Sequence, residues 1–358
     1  MKINYYNKFG DQIKKSSKTL RWIDFTTEKK FDHYMLKEIY EQPMVSKLLI
    51  DSLNTEQSDI VEKFIKAITE ASKVVFIAAG SSYHASSLGA YLLRKLGIEA
   101  YAVIASEYDE WVNYDNNTTV IAVSQSGETM DVILALKNLK NKVKKILSVV
   151  NVPYSTIQRM SDCSLEIKAG PEKCVAATKT YMNQVVTFYY LARELGFSVN
   201  IDNIPPNIQK IIEWNEKNII DIAKELKGDN DIYILGRGLN YFASLEIALK
   251  LKEIAYIHAE ALPAGELKHG TLALIEPGTK VIALSPSWDS KVKTNIEEVK
   301  SRGGVILNIP EDFKFAEYSY EFPIYSVVIG QLLTYYIAKE KGLPIDKPRN
   351  LAKSVTVI

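Results

Sequence analysis

Val74-Val75-Phe76-Ile77-Ala78-Ala79-Gly80-Ser81-Ser82 decides the fold. It is a short continuous apolar run broken by a glycine and two serines, with a helical pattern following to Leu96. Such a run predicts a strand buried on both faces that feeds a helix. Reading outward, Ala100–Ile104 is a second strand. Val120–Val123 is a third and ends in Ser124-Gln125-Ser126-Gly127. A helix to about Lys140 and the strand Lys145–Val150 continue the alternation. Apolar strands separated by helices imply a parallel sheet covered on both faces.

The pattern then restarts. Asp231–Leu235 is a strand ending in Gly236-Arg237-Gly238, and Asn240–Ala255 is helical. Val281–Leu284 ends in Ser285-Pro286-Ser287, and a helix through Ile296–Arg302 leads to the strand Val305–Ile309. Gly80, Tyr83, Ala85 and Ser86 recur as Gly238, Tyr241, Ala243 and Ser244, 158 residues later. This is an internal duplication of a whole α/β domain, since the period is far too long for a solenoid. Upstream, Ile3–Asn7 and Thr19–Phe25 flank Phe9-Gly10-Asp11 and read as a hairpin or extended arm. Met35, Leu36, Ile39, Tyr40 and Met44 mark a helix that Pro43 should interrupt. A further helix is predicted over Glu56–Ser72. Pro205-Pro206 in polar sequence marks a linker near Asn200–Asn207. The expected division is an arm and entry helix over 1–42, a first domain over 43–205, a second over 206–341 and a tail over 342–358. A long apolar helix at about Ile324–Lys341 closes the second domain.

Composition excludes several classes. The chain has 358 residues, with 44 Lys plus Arg against 43 Asp plus Glu, a formal charge of +1. A polyanion binder needs a basic surplus, so nucleic acid is not an expected partner. Two cysteines, Cys163 and Cys174, make neither a disulfide scaffold nor a cysteine-rich zinc site. No apolar run approaches a membrane span and no secretory signal opens the chain, so a cytoplasmic protein is expected. No HExxH or similar ligand spacing occurs, and neither a metal nor a cofactor is expected.

Ligands of open parallel sheets sit beyond the carboxyl ends of the strands. Two such ends carry Ser81-Ser82 and Ser124-Gln125-Ser126-Gly127-Glu128-Thr129. Hydroxyls, exposed N–H groups and a helix start form an anion cradle. Without a P-loop lysine or GxGxxG, it suits one phosphate monoester. The same hydroxyls would also cap helices; two such loops in one repeat unit favour phosphate. Glu246, Lys250 and Glu253 share one helix face at spacings of four and three. They are either a solvated ion-pair stripe or a proton shuttle in a cleft. Ala248, Leu249, Leu251 and Ile254 around them make the helix otherwise apolar. His269 lies in a Gly-rich charged connection that suggests a site, although a lone histidine is more often structural. The tail from Lys347 to Val357 is either a frayed end or a docked segment.

The stretches HYMLKEIYEQP (33–43), SQSGET (124–129), ALKLKEIAYIHAEALPAGELKHG (248–270) and PRNLAKSVTV (348–357) resemble one family closely. It is the isomerase half of the glutamine–fructose-6-phosphate aminotransferases, a pair of sugar isomerase (SIS) domains. The resemblance covers nearly everything from His33 onward. It implies an α/β fold of two SIS-type domains, each a parallel sheet flanked by helices. It implies that Ser82, Ser124, Gln125, Ser126 and Thr129 hold a sugar phosphate, and that Val175 and Ala352 line the sugar through backbone contacts. Glu253 would move the proton between C1 and C2, supported by Lys250 and Glu246. His269 would open the sugar ring from a neighbouring subunit, which makes the active unit at least a homodimer. Lys353 would form a Schiff base with the open-chain ketose.

The implied reaction takes fructose 6-phosphate and ammonia to glucosamine 6-phosphate. This chain departs from the family in places. It has no cysteine before Cys163, whereas the family's glutaminase half begins with a nucleophilic cysteine. Residues 1–25 look like the last hairpin and linker of that half, so a separate glutaminase subunit or a missing glutaminase domain is expected to supply ammonia. The family's Cys-Gly-Thr-Ser loop reads Ala79-Gly80-Ser81-Ser82, keeping the hydroxyls. Its Ser-Thr-Lys reads Ala177-Thr178-Lys179, and its final Glu reads Ile358. A glucosamine-6-phosphate deaminase and a non-catalytic sugar-phosphate-binding protein are the competing readings.

Overall fold

The computed structural model describes residues 5–6, 11–13, 31–287, 289–309 and 320–354. A short antiparallel hairpin pairs β1 (Tyr5–Tyr6) with β2 (Gln12–Ile13). Helices α1 (Tyr34–Asn54) and α2 (Ser58–Thr69) precede the first sheet. Its strands are β3 (Lys73–Ala78), β4 (Ala100–Ile104), β5 (Thr118–Ser124), β6 (Lys145–Val150) and β7 (Cys163–Glu166). They are all parallel, in the order β4-β3-β5-β6-β7. Helices α3 (Ser81–Lys95), α4 (Tyr108–Trp111), α5 (Met130–Leu139) and α6 (Thr156–Met160) connect them. Then α7 (Lys179–Glu194) and α8 (Ile204–Leu226) lead to the second sheet. There β8 (Asp231–Gly236), β9 (His258–Pro263), β10 (Lys280–Leu284) and β11 (Val305–Ile309) run parallel in the order β11-β10-β8-β9. Helices α9 (Leu239–Lys250), α10 (Ser290–Lys300) and α11 (Phe322–Glu340) complete the described elements.

The apolar runs are strands because helices bury both faces of each sheet. Val74, Val75, Ile77 and Ala78 of β3 are inaccessible. Each such Val or Ile contributes about 1.5–3 kcal/mol on leaving water. Phe76 meets Phe188 of α7 edge-on, with ring centroids 5.2 Å apart. Helix α11 is apolar all round and buried from Phe322 to Ala338, as expected of a helix enclosed by protein. It packs on α8 and α9.

The duplication is realised in three dimensions. β3–α3–β4 recurs as β8–α9–β9, and the second sheet repeats the strand order of the first without a fifth strand among the described residues. Gly80 and Gly238 precede α3 and α9 with φ/ψ of 56/−133° and 57/−125°. A side chain in that conformation is strained, so both turns retain glycine.

Several elements differ from the sequence expectation. The hairpin's second strand is Gln12–Ile13; Thr19–Phe25 lies outside the described residues. Pro43 does not interrupt α1, which runs through it. The lost hydrogen bond is outweighed by burial on both sides, where Ile39 and Val45 are inaccessible. Pro205 and Pro206 are not linker residues: they sit in the first turn of α8, where their missing N–H groups have no helical acceptor to lose. Strands β7 and β9 were not anticipated, because Cys163–Glu166 and His258–Pro263 are short and partly polar. The helix expected over Asn240–Ala255 ends as a single π turn at Leu251–Ala255.

Candidate active site

β3 and β5 are neighbours, with β4 on one side and β6 on the other. The connections after β3 and β5 therefore leave in opposite directions and open a crevice at their carboxyl ends. Ser81, Ser82 and the 124–129 loop line it. The hydroxyls of this cradle do not cap helices. Thr129, the N-cap of α5, makes no side-chain cap bond; its Oγ1 lies 2.9 Å from Ser124 Oγ. Gly127 N–H donates to Ser124 Oγ at 3.0 Å and Glu128 N–H to Ser126 Oγ at 3.1 Å. Gln184 Nε2 donates to Ser82 Oγ at 3.0 Å. Gly127 has φ +65°, and a Cβ there would stand 2.0 Å from Ser155 Oγ. The loop thus closes to a radius that only glycine permits. Gln125 is half-buried, and its carbonyl accepts from Asn151 N–H at 3.2 Å.

The charged row on α9 is not a solvated stripe. Glu246 and Lys250 have no exposed side-chain surface, and Glu253 keeps 22%. Lys250 Nζ lies 3.2 Å from Glu246 Oε1 and 2.6 Å from Glu253 Oε2. Ser81, from the first domain, donates to Glu246 Oε1 at 2.9 Å and accepts from Lys250 Nζ at 3.1 Å. His84 Nδ1 lies 2.8 Å from Glu246 Oε2; an ionised carboxylate only accepts, so Nδ1 carries the proton. Burial opposes ionisation of Glu246, yet Lys250, His84 and Ser81 outweigh it and hold the carboxyl below its ordinary range. Burial likewise opposes the Lys250 ammonium, and Glu246 and Glu253 raise its pKa above the usual value. The π turn carries Glu253, and Tyr256 follows at φ +54°. Both features concentrate at functional sites.

The tail docks. Asp346 carboxylate oxygens accept the N–H groups of Tyr34 and Met35, each at 2.9 Å. Arg349 N–H donates to Tyr256 OH at 2.7 Å, and its guanidinium lies 4.3 Å from that ring's centroid. Lys353 Nζ meets Glu172 Oε2 at 2.5 Å, and Ser354 Oγ meets Ser126 Oγ at 3.1 Å. The predicted lysine therefore lies beside the predicted cradle. Val175 N–H donates to Asp346 C=O at 3.1 Å, which leaves only its carbonyl for a ligand. Ala352 is exposed on the tail. His269 is exposed at the end of a 3₁₀ turn, Ala264–His269; no described contact joins it to the α9 row. A separate cleft of about 560 Å³ lies at the ends of β8 and β9, lined by Arg237, Tyr241, Pro263, Glu266, Lys268 and Lys291 among others. None of the predicted sugar-phosphate residues lines it.

Glu172, His84, Tyr256 and Ser354 were absent from the predicted site. Ser354 adjoins the predicted Lys353, which was signal enough. Glu172 stands alone between Pro171 and Lys173, and no periodicity marks it. Among the described residues, no group of three or more His, Cys, Asp or Glu side chains forms a metal-binding cluster, and no helix is long and apolar enough to cross a membrane.

The SIS domain model matches residues 67–193 and 225–310, one stretch for each sheet. The glutamine–fructose-6-phosphate aminotransferase (isomerizing) of Pyrococcus horikoshii is 40% identical over 94% of this chain and 60% of its own length. That of Clostridium tetani is 39% identical over 99% of this chain and 64% of its own. The chain thus spans about three-fifths of the curated relatives it matches. Among solved structures, the C-terminal domain of glucosamine-fructose-6-phosphate aminotransferase from Francisella tularensis is 31% identical, with a TM-score of 0.80 over 90% of this chain and all of that one. Glucosamine-6-phosphate deaminase from Thermotoga maritima, at 24% identity and a TM-score of 0.72, shares the fold. With a duplicated sheet and SIS domain matches over both halves, the chain belongs to the SIS domain family, with one SIS domain built on each sheet.

Proposed function

We propose that this module converts fructose 6-phosphate and ammonia to glucosamine 6-phosphate. The observation that carries the proposal is the Ser81 hydroxyl. Coming from the cradle loop of one domain, it bonds both Glu246 and Lys250 of the other, so the acid–base row adjoins the phosphate site. The cradle, with Ser82, Ser124, Gln125, Ser126 and Thr129, takes the phosphate. The Val175 carbonyl and the Ala352 backbone flank the sugar.

Ketose-to-aldose conversion needs one base that takes a proton from C1 and returns it to C2. Glu253 has that role, and Lys250, neutralised on its other side by Glu246, fixes its orientation. Lys353 forms the Schiff base with the open-chain ketose. His269, supplied by a second subunit of a homodimer, opens the ring near neutral pH. Ammonia enters from solution or from a glutaminase, as a separate subunit or a further domain. Without ammonia, slow interconversion of fructose and glucose 6-phosphates is expected.

The test is Glu253→Gln. It should cut isomerisation by about 10²-fold or more, while calorimetry shows sugar-phosphate binding kept within a few-fold. A variant with full isomerisation would remove Glu253 from the mechanism. Net flux from either hexose, with and without ammonium, separates synthesis from deamination. Sugar-phosphate binding with no turnover in the parent protein would leave a binding protein only.

A further inference from the structure

The Lys353–Glu172 contact holds more than a loose chain end. The Glu172 side chain is wholly buried, whereas Lys353 keeps 27% exposure. Glu172 also accepts Thr178 N–H at 2.9 Å, Thr180 N–H at 3.1 Å and Thr180 Oγ1 at 2.7 Å. With three donors fixing it, the carboxylate cannot follow a moving lysine; the lysine must come to it. A buried carboxylate without a cation is strongly destabilising; of the neighbouring lysines, Lys179 is taken by Glu41 at 2.7 Å and Lys173 lies over the Tyr34 ring. A second carboxyl, Glu38, accepts the N–H of Cys174 at 3.3 Å. Burial and then the Glu172 charge push Glu38 up to about 8, which favours its neutral form and leaves Glu172 as the carboxylate that faces Nζ.

We propose that Glu172 serves Lys353 in Schiff-base formation as counter-ion at both ends, to the ammonium and to the iminium, and as proton carrier in between. The inference rests on reading Lys353 as the imine-forming lysine. The ammonium passes one proton to Glu172, which frees the nitrogen lone pair. That pair forms the C–N bond to C2 of the open-chain ketose, and the carbonyl π pair moves to oxygen. A proton shifts from nitrogen to that oxygen, giving a carbinolamine. Glu172 returns its proton to the hydroxyl, water leaves, and the nitrogen lone pair closes the C=N bond. The iminium N–H then faces an ionised Glu172. Nothing is oxidised or reduced, and no other reactant is needed.

The experiment is borohydride trapping of the full chain with fructose 6-phosphate at pH 7, with the Lys353 adduct quantified by peptide mass spectrometry. Inorganic phosphate binding is measured in parallel by calorimetry. Glu172→Gln should lower trapped adduct at least tenfold, with phosphate affinity within threefold. Glu172→Asp keeps the buried charge for Thr178 and Thr180 but withdraws it from Nζ; it should also trap at least threefold less, and it decides the matter if the Gln variant does not fold. Undiminished trapping in a folded Glu172 variant overturns the counter-ion role alone. If the parent protein binds phosphate but traps no ketose, the Schiff-base reading falls and this inference with it.

Discussion

At the scale of single residues, Glu172, Glu246 and Lys250 have buried side chains, and each is matched to an oppositely charged partner. Lys250 illustrates the consequence: between Glu246 and Glu253 it is neutralised, and its removal would leave two carboxylates facing each other. Glu38 gives a measurable signature. Its folded pKa, raised to about 8 from 4.5 by burial and by Glu172, means the native state keeps a proton that the unfolded chain releases near pH 4.5. Stability from this group is complete below that point and is lost as pH rises toward 8. Glu38→Gln should therefore flatten the fall in unfolding free energy between about pH 5 and 8 in urea titrations. An unchanged slope would show that Glu38 ionises normally. Glu253 and Lys250 were singled out by helical spacing, and Lys353 only by the family resemblance of the 348–357 stretch. Glu172 was not, because what marks it is the convergence of Thr178, Thr180 and Lys353 on one point, and convergence has no linear signal.

At the scale of elements, α9 and its π turn carry the Glu246–Lys250–Glu253 row, and α11 packs against them. Gly330 of α11 lies against Ile247, next to Glu246; a Cβ there would stand 2.5 Å from Ile247 Cγ1. Gly330→Ala should lower stability by about 1–3 kcal/mol through overpacking. It should also reduce isomerase turnover more than sugar-phosphate affinity, since the row moves while the cradle stays. Equal turnover in parent and variant would show that α9 tolerates the shift. Most strands were readable because two-sided burial writes an uninterrupted apolar run. β9 was missed, although β4 displaced by 158 residues falls on it; its His258 and Glu260 are exposed and hide the run. Pro43 misled because proline reports the local loss of one hydrogen bond, whereas the helix persists through tertiary burial.

At the scale of the molecule, the duplication yields two similar domains with unequal tasks. The first contributes the hydroxyl loops and Glu172, the second contributes the Glu246–Lys250–Glu253 row, and the tail sets Lys353 on Glu172 and Ser354 on Ser126. In the proposed dimer the exposed His269 serves the other subunit. Mixing Glu253→Gln with His269→Ala subunits, refolded or co-expressed, should then restore about a quarter of parental activity, as each mixed dimer has one intact site. No gain over either variant alone would place His269 outside a shared site.

The sequence by itself determined the parallel α/β class, the repeat and the residues with chemical potential, because two-sided burial, glycine turns and helical spacing are local properties of the chain. Only the tertiary structure decided which of those residues meet. Ser81 reaches Glu246 across 165 positions and Lys353 reaches Glu172 across 181. Contacts of that kind depend on how sheets and helices stack, and the desolvation that separates a buried ion-pair row from a solvated stripe exists only once they have.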